Sequence, residues 1–257
     1  MMNDQASPQA EGEVRHRSFA DVVVDLISSP AELFEDIRVN PAVRTAHWLA
    51  PLVVLILMGL LVGQLIVNNS SLADQLGSTI RKGFEQQVQA GKMTQEQADQ
   101  VYDQFARPGS TMFMISQVGA IVIGTPIVLF SLSVIYWLLG KWVLKGQAPY
   151  MKVVEVVGLT LIIAILEAIV TTLLVFIMNS VFATPSLALF VSDFDVANKL
   201  HVAMAKINGF TFWSLSVISI GLARILVRPL GKVIPLVFGA WLAWAIVSVA
   251  TGVGAGM

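Results

Sequence analysis

Five long apolar runs constrain this chain more than any motif in it. They extend from Leu49 to Val67, Met112 to Leu139, Val153 to Met178, Ile207 to Val227 and Val233 to Ala250. A helix needs about 20 apolar residues to cross the roughly 30 Å hydrocarbon layer of a bilayer. Only 13% of the 257 residues are charged and 56% are hydrophobic, against about 25% charged in ordinary soluble domains. The expected fold class is all-α: a polytopic membrane protein with five transmembrane helices and lipid as its solvent. A net charge of −1 provides no basic field for nucleic acid. The absence of cysteine removes disulfides, thiolate metal sites and cysteine nucleophiles.

The segments between the runs have patterns of their own. Residues 1–28 read as a cytoplasmic N-terminal segment, polar and disordered up to about residue 16. They carry Asp4, Glu11 and Glu13 and show no cleavable signal pattern. Phe19, Val22, Val23 and Leu26 share one helical face, for the membrane interface or for the protein's own cytoplasmic side. From Ser29 to Pro41 a short amphipathic helix is expected. Ser29 and Glu32 have capping-box spacing, Pro30 suits the first turn and Asn40-Pro41 ends the pattern. Leu33, Phe34 and Ile37 form its apolar stripe, either a membrane-entry anchor or a docking surface for a partner. Residues 68–111 read as an extramembrane helical hairpin between spans one and two. Leu72, Leu76, Ile80, Phe84 and Val88 recur every fourth residue, and Thr94 with Gln97 forms a second capping box. The five-span domain covers 29–250, and 251–257 is a tail.

Lys and Arg in the connecting segments set orientation. With the N-terminus inside, ten fall on inner segments and six on outer ones, so the N-terminus is expected in the cytoplasm and the C-terminus outside.

Ionisable residues at bilayer depth are the candidates for chemistry, because each costs at least about 2.5 kcal/mol to insert. Glu167 lies near the middle of the third run. It is either a proton or cation step in transport or a hydrogen-bonded packing residue, with Gln117, Thr171 or Ser216 as partner. Glu155 precedes it by twelve residues, about 18 Å along a helix, near the inner interface. Arg224 sits at similar depth and is its expected partner. Pro126 lies inside the second run and should kink it, its freed carbonyl served by Ser131, Ser133 or a neighbouring helix. Gly59 and Gly63, and Gly239 with Ala243, have the spacing of close helix packing, within one chain or in a homo-oligomer. His16, His47 and His201 are scattered, and neither a metal site nor a hydrolase motif such as HExxH or GxSxG can be assembled. No cofactor and no catalytic residue is expected.

Several stretches together resemble the Yip family of Ypt/Rab-interacting proteins. Ser29-Pro30-Ala31-Glu32-Leu33-Phe34-Glu35-Asp36-Ile37-Arg38-Val39-Asn40-Pro41 is similar to the segment preceding the first span in bacterial members. Gly209-Phe210-Thr211-Phe212-Trp213-Ser214-Leu215, followed by Ile220-Gly221-Leu222-Ala223-Arg224, is similar to their fourth span. Ala240-Trp241-Leu242 falls where the fifth often carries tryptophan. The loop with Gly140-Lys141 and Gly146-Gln147-Ala148-Pro149-Tyr150 resembles the family's second loop. The resemblance implies a five-helix, non-enzymatic membrane adaptor or scaffold. Leu33, Phe34, Ile37 and Trp213 are then its candidate partner-docking residues, and a membrane protein such as an ABC-type exporter its partner. The eukaryotic aspartate-leucine-tyrosine-glycine-proline type motif is absent, which points to a bacterial inner-membrane protein rather than to Rab binding. The alternative is a small transporter or export accessory that uses Glu167 and the bend at Pro126.

Overall fold

A computed structural model describes residues 18–251. The polar stretch to about residue 16 and the tail beyond Thr251 lie outside the described residues. The elements in order are α1 (Phe19–Ser28), α2 (Pro30–Val39), α3 (Ala46–Asn68), α4 (Ser70–Gln89), α5 (Gln95–Val101), α6 (Thr111–Trp142), α7 (Tyr150–Met178), α8 (Lys199–Lys206), α9 (Gly209–Ile225) and α10 (Leu230–Thr251). A π turn, Tyr102–Ala106, continues α5, and a 3-10 turn, Leu187–Phe190, lies between α7 and α8. The described chain is all-α apart from one isolated bridge between Ser186 and Asn208.

Four helices are long and apolar enough to cross a membrane. They are α3, α6, α7 and α10, with mean hydropathies of 2.6, 2.3, 2.8 and 2.2. The fourth apolar run differs from expectation. Its helix, α9, has only 17 residues, about 26 Å, because it starts at an N-cap inside the bundle.

Helix α7 is the axis. Every residue from Lys152 to Thr160 is buried, as happens when a helix is surrounded on all sides. Towards its far end the packing opens into a stripe of Ile169, Leu173 and Ile177, exposed by 44%, 57% and 78%. Spaced four residues apart, they present one apolar face, which suits lipid rather than water. The tight half of the bundle is therefore the end that carries α1 and α2. There Val22, Leu26, Leu33, Phe34 and Ile37 share one core with Val156, Leu159, Ile218 and Leu222.

Local signals explain most boundaries. Thr94 and Gln97 form the capping box that starts α5. Ser29, in contrast, makes no side-chain cap; the box at this end is Ser18 with Asp21, which starts α1. Helix α6 remains helical through Pro126. The Ser133 hydroxyl donates to the Leu129 carbonyl at 2.8 Å, so it does not serve the Val122 carbonyl that Pro126 leaves without its usual donor. Beside the proline, the Thr125 hydroxyl donates to the Ile121 carbonyl at 2.7 Å.

Gly63 meets α6 at close range. A Cβ there would lie 2.7 Å from the Gln117 amide nitrogen, so this glycine face is filled within the chain. Nothing lies within 4 Å of a Cβ at Gly239.

The C-terminus of α9 is strained. The Arg228 N–H bonds the Ala223 carbonyl and the Val227 N–H bonds the Arg224 carbonyl, the paired bonds of a Schellman motif. The left-handed position of that motif favours glycine, yet Val227 occupies it with φ +52°. A β-branched residue there costs about 1–2 kcal/mol. Since Val227 is 65% exposed, its side chain contributes little packing. Val227→Gly is expected to stabilise the protein by about 1 kcal/mol, after subtracting the extra unfolded-state freedom of glycine. Thermal unfolding in detergent would show a higher melting temperature; an unchanged or lower one would contradict the strain.

Candidate functional site: a buried charge cluster beneath the N-terminal helices

The linker between α2 and α3 crosses the tight end of the bundle, and α7 holds it with two charged side chains. Lys152 and Glu155 are three residues apart, so they share a face of the first turns of α7. They form an ion pair at 3.0 Å, with Lys152 only 6% and Glu155 only 1% exposed. The remaining bonds run to the linker. Lys152 Nζ donates to the carbonyls of Ile37 and Ala42, both at 2.9 Å. The Ile37 carbonyl belongs to the last turn of α2, where a helix has no acceptor-satisfying N–H of its own. Glu155 Oε1 accepts the Arg44 backbone N–H at 3.2 Å and lies 2.7 Å from His47 Nδ1. An ionised carboxylate only accepts, so Nδ1 carries the hydrogen. His47, in the first turn of α3, is itself buried.

The cluster thus joins α2, the linker, α3 and α7. Removing one charge would leave the other buried without compensation. The Leu33, Phe34 and Ile37 stripe lies above it and faces inward: Phe34 is fully buried, and a Cβ at Gly221 of α9 would sit 3.1 Å from its ring. The stripe therefore packs on α9 and α7 instead of presenting a surface.

Arg224 is not the partner of Glu155. Both Glu155 oxygens are occupied by Lys152, His47 and Arg44, while Arg224 is exposed on the wall of an adjoining cleft of about 650 Å³. The cleft lies between α2, the linker and the ends of α7 and α9. The sequence separates His47 from Glu155 by more than a hundred residues, and no periodicity links them. The three-residue spacing of Lys152 and Glu155 is the one local signal for the site, and the expectation from depth passed over it in favour of Arg224.

Glu167 lies elsewhere, about 16 Å before the far end of α7. Its partner is Asn208, not Gln117, Thr171 or Ser216: Asn208 Nδ2 donates to Glu167 Oε1, while Asn208 Oδ1 accepts the Phe210 N–H and caps α9. The carboxyl thus orients the residue that starts α9 within the bundle. The Leu187 N–H bonds the Ile207 carbonyl at 3.1 Å, pairing backbone that precedes the helix. Glu167→Gln keeps an acceptor for Asn208 and should melt within about 1 kcal/mol of the parent, whereas Glu167→Leu orphans the amide and should cost about 1–3 kcal/mol. Thermal unfolding of the two variants side by side checks the difference.

Trp213 is half-buried on the core, its ring tilted against Phe210 at 6.2 Å. Phe212 stacks on Phe238 and meets Trp241 edge-on at 5.3 Å, which joins α9 to α10. His201 accepts the Asp195 N–H at 3.1 Å and orders the loop before α8. Among the described residues no three His, Asp or Glu side chains are placed to hold a metal.

The family model for the Yip1 domain matches residues 24–253. The chain belongs to the Yip1 domain family. The match begins within α1 and includes both the buried cluster and every long apolar helix, so this Yip1 domain is a multi-pass integral membrane protein. A search of curated proteins and one of solved structures each found no match.

Proposed function

We propose that this Yip1 domain is a non-enzymatic membrane adaptor or scaffold that associates with other integral membrane proteins. The family match over residues 24–253 carries this reading. Two features support it. The buried charged groups of the tight end, Lys152 and Glu155, are bonded to the chain's own backbone, as structural groups are. Glu167 is bonded to a helix cap, which favours packing over a relay.

In this reading α9 is a fifth, short crossing and α4 with α5 forms a hairpin outside the membrane. The N-terminus is cytoplasmic and the C-terminus outside, in a bacterial inner membrane. An ABC-type exporter is the kind of partner proposed. Crosslinking in intact membranes, followed by purification and partner identification, is the test. Reproducible capture of one integral membrane protein, with loss of that partner's transport or assembly on deletion of this chain, is expected. Background-level capture together with an unchanged phenotype contradicts the adaptor role.

A further inference from the structure

The cleft beside the buried cluster has an uneven charge balance. Four carboxylates line it. Glu155 is used by Lys152 and His47, and Glu35 is used by Arg38. Asp36 also has an interaction partner. Only Glu32 remains, exposed at the rim. Of the lining cations, Lys152 is consumed by the cluster, but Arg44 and Arg224 are not. Neither guanidinium has a hydrogen bond or an ion pair among the described residues. Two uncommitted arginines thus face one uncommitted carboxylate. The Glu35 carboxyl is held below its ordinary range first by the hydrogen bond from Arg38 and, less, by the charges of Arg38 and Arg224.

The depth of the cleft selects the ligand. Arg44 stands two residues before the start of α3, and Arg224 is in the last turn of α9. The same end carries Trp137 packed edge-on against Tyr150, and Lys141 over the Trp137 ring at 5.0 Å. Aromatic and basic side chains in this arrangement mark the headgroup level of a bilayer. Arginines lining a cleft at that level are matched to phosphate, whose oxygens accept forked guanidinium hydrogen bonds. Val39, Pro41 and Ala42, all exposed, supply apolar wall on which acyl chain can lie.

We propose that this cleft binds the phosphate of a phospholipid headgroup between Arg44 and Arg224. A lipid seated there lies against α2 and the linker and adds to the hold that Lys152 and Glu155 exert from beneath. The site is independent of any partner protein.

The test uses the full chain in detergent, with native mass spectrometry and thermal unfolding as paired readouts. Phosphatidylglycerol, diacylglycerol with the same acyl chains, and inorganic phosphate are added separately. One phosphatidylglycerol should be retained per chain and should raise the melting temperature, while diacylglycerol does neither. The Arg44→Gln/Arg224→Gln double variant should lose at least about tenfold in phosphatidylglycerol affinity, as expected for lost charge-assisted bonds. Glu32→Gln, a change at the exposed rim, should bind phosphatidylglycerol several-fold more tightly. Equal retention by the double variant, or unchanged binding by Glu32→Gln, overturns the proposal. Stabilisation by inorganic phosphate equal to that by the lipid overturns the lipid assignment and makes this a site for a soluble anion.

Discussion

Gly158→Leu is expected to abolish the native fold, and even Gly158→Ala should be strongly destabilising. Gly158 marks a close approach of α7 to α3. A Cβ built on it would lie 2.2 Å from the Cβ of Trp48 and 2.6 Å from its Cα. The second atom is backbone, so no rotamer change relieves the contact; the two helices must separate. Alanine in place of glycine normally gains about 1 kcal/mol of helix propensity. Overpacking of a tight contact costs about 1–3 kcal/mol and can exceed that when backbone must move. The clash decides the sign, and a net loss of about 2 kcal/mol or more is expected for alanine. Gly119 provides the internal control. It lies in α6 with nothing within 4 Å of a Cβ, so Gly119→Ala should be neutral or stabilising by up to about 1 kcal/mol. Thermal unfolding of both variants in the same detergent gives the comparison. Equal behaviour of the two alanine variants would show that α3 and α7 do not meet at Gly158.

Glu155→Ala is expected to have the other large effect, because it leaves the Lys152 ammonium buried with two carbonyls and no counter-charge. Breaking a buried ion pair from one side costs about 3–5 kcal/mol. The loss should be local as well as global. With the Arg44 N–H and His47 also deprived of their acceptor, the linker and the start of α3 lose two of their ties to α7. Amide exchange from Ala42 to His47 should then rise more than exchange in the middle of α7. Glu155→Leu combined with Lys152→Met should recover part of the loss, since it removes both charges together and fills the volume with apolar groups. A double variant as unstable as the sum of the singles would mean that the two side chains act independently.

The sequence revealed the membrane helices because hydropathy over 20 residues is a local property. Lipid rewards it wherever the helix finally packs. Capping was legible where the side chain wins its local competition, as at Thr94, and misleading at Ser29. There the chain turns from α1 into α2 with Ser29 at φ −146° and ψ 56°, and its hydroxyl does not reach the expected N–H. The length of α9 was hidden because its start depends on Asn208 meeting Glu167, a contact across 41 residues. The partner of Glu155 was hidden for the same reason. Arg224 has the right depth and sign, but Lys152 lies on the same helix face and reaches Glu155 first, while His47 arrives from α3. Burial of Phe34 was also beyond the pattern: an amphipathic stripe shows that one face is covered, and only Gly221 on α9 shows by what.

Five crossings with the α1–α2 end in the cytoplasm form the centre of this account, and site-directed labelling tests it most directly. The chain has no cysteine, so single cysteines can be placed without background. Ser28 at the end of α1, Gln89 at the end of α4 and Thr251 at the end of α10 are exposed positions. In intact cells a membrane-impermeant maleimide should label Gln89→Cys and Thr251→Cys, and should label Ser28→Cys only after the membrane is opened. Labelling of Ser28→Cys and Thr251→Cys from the same side would mean an even number of crossings, and the account would be wrong.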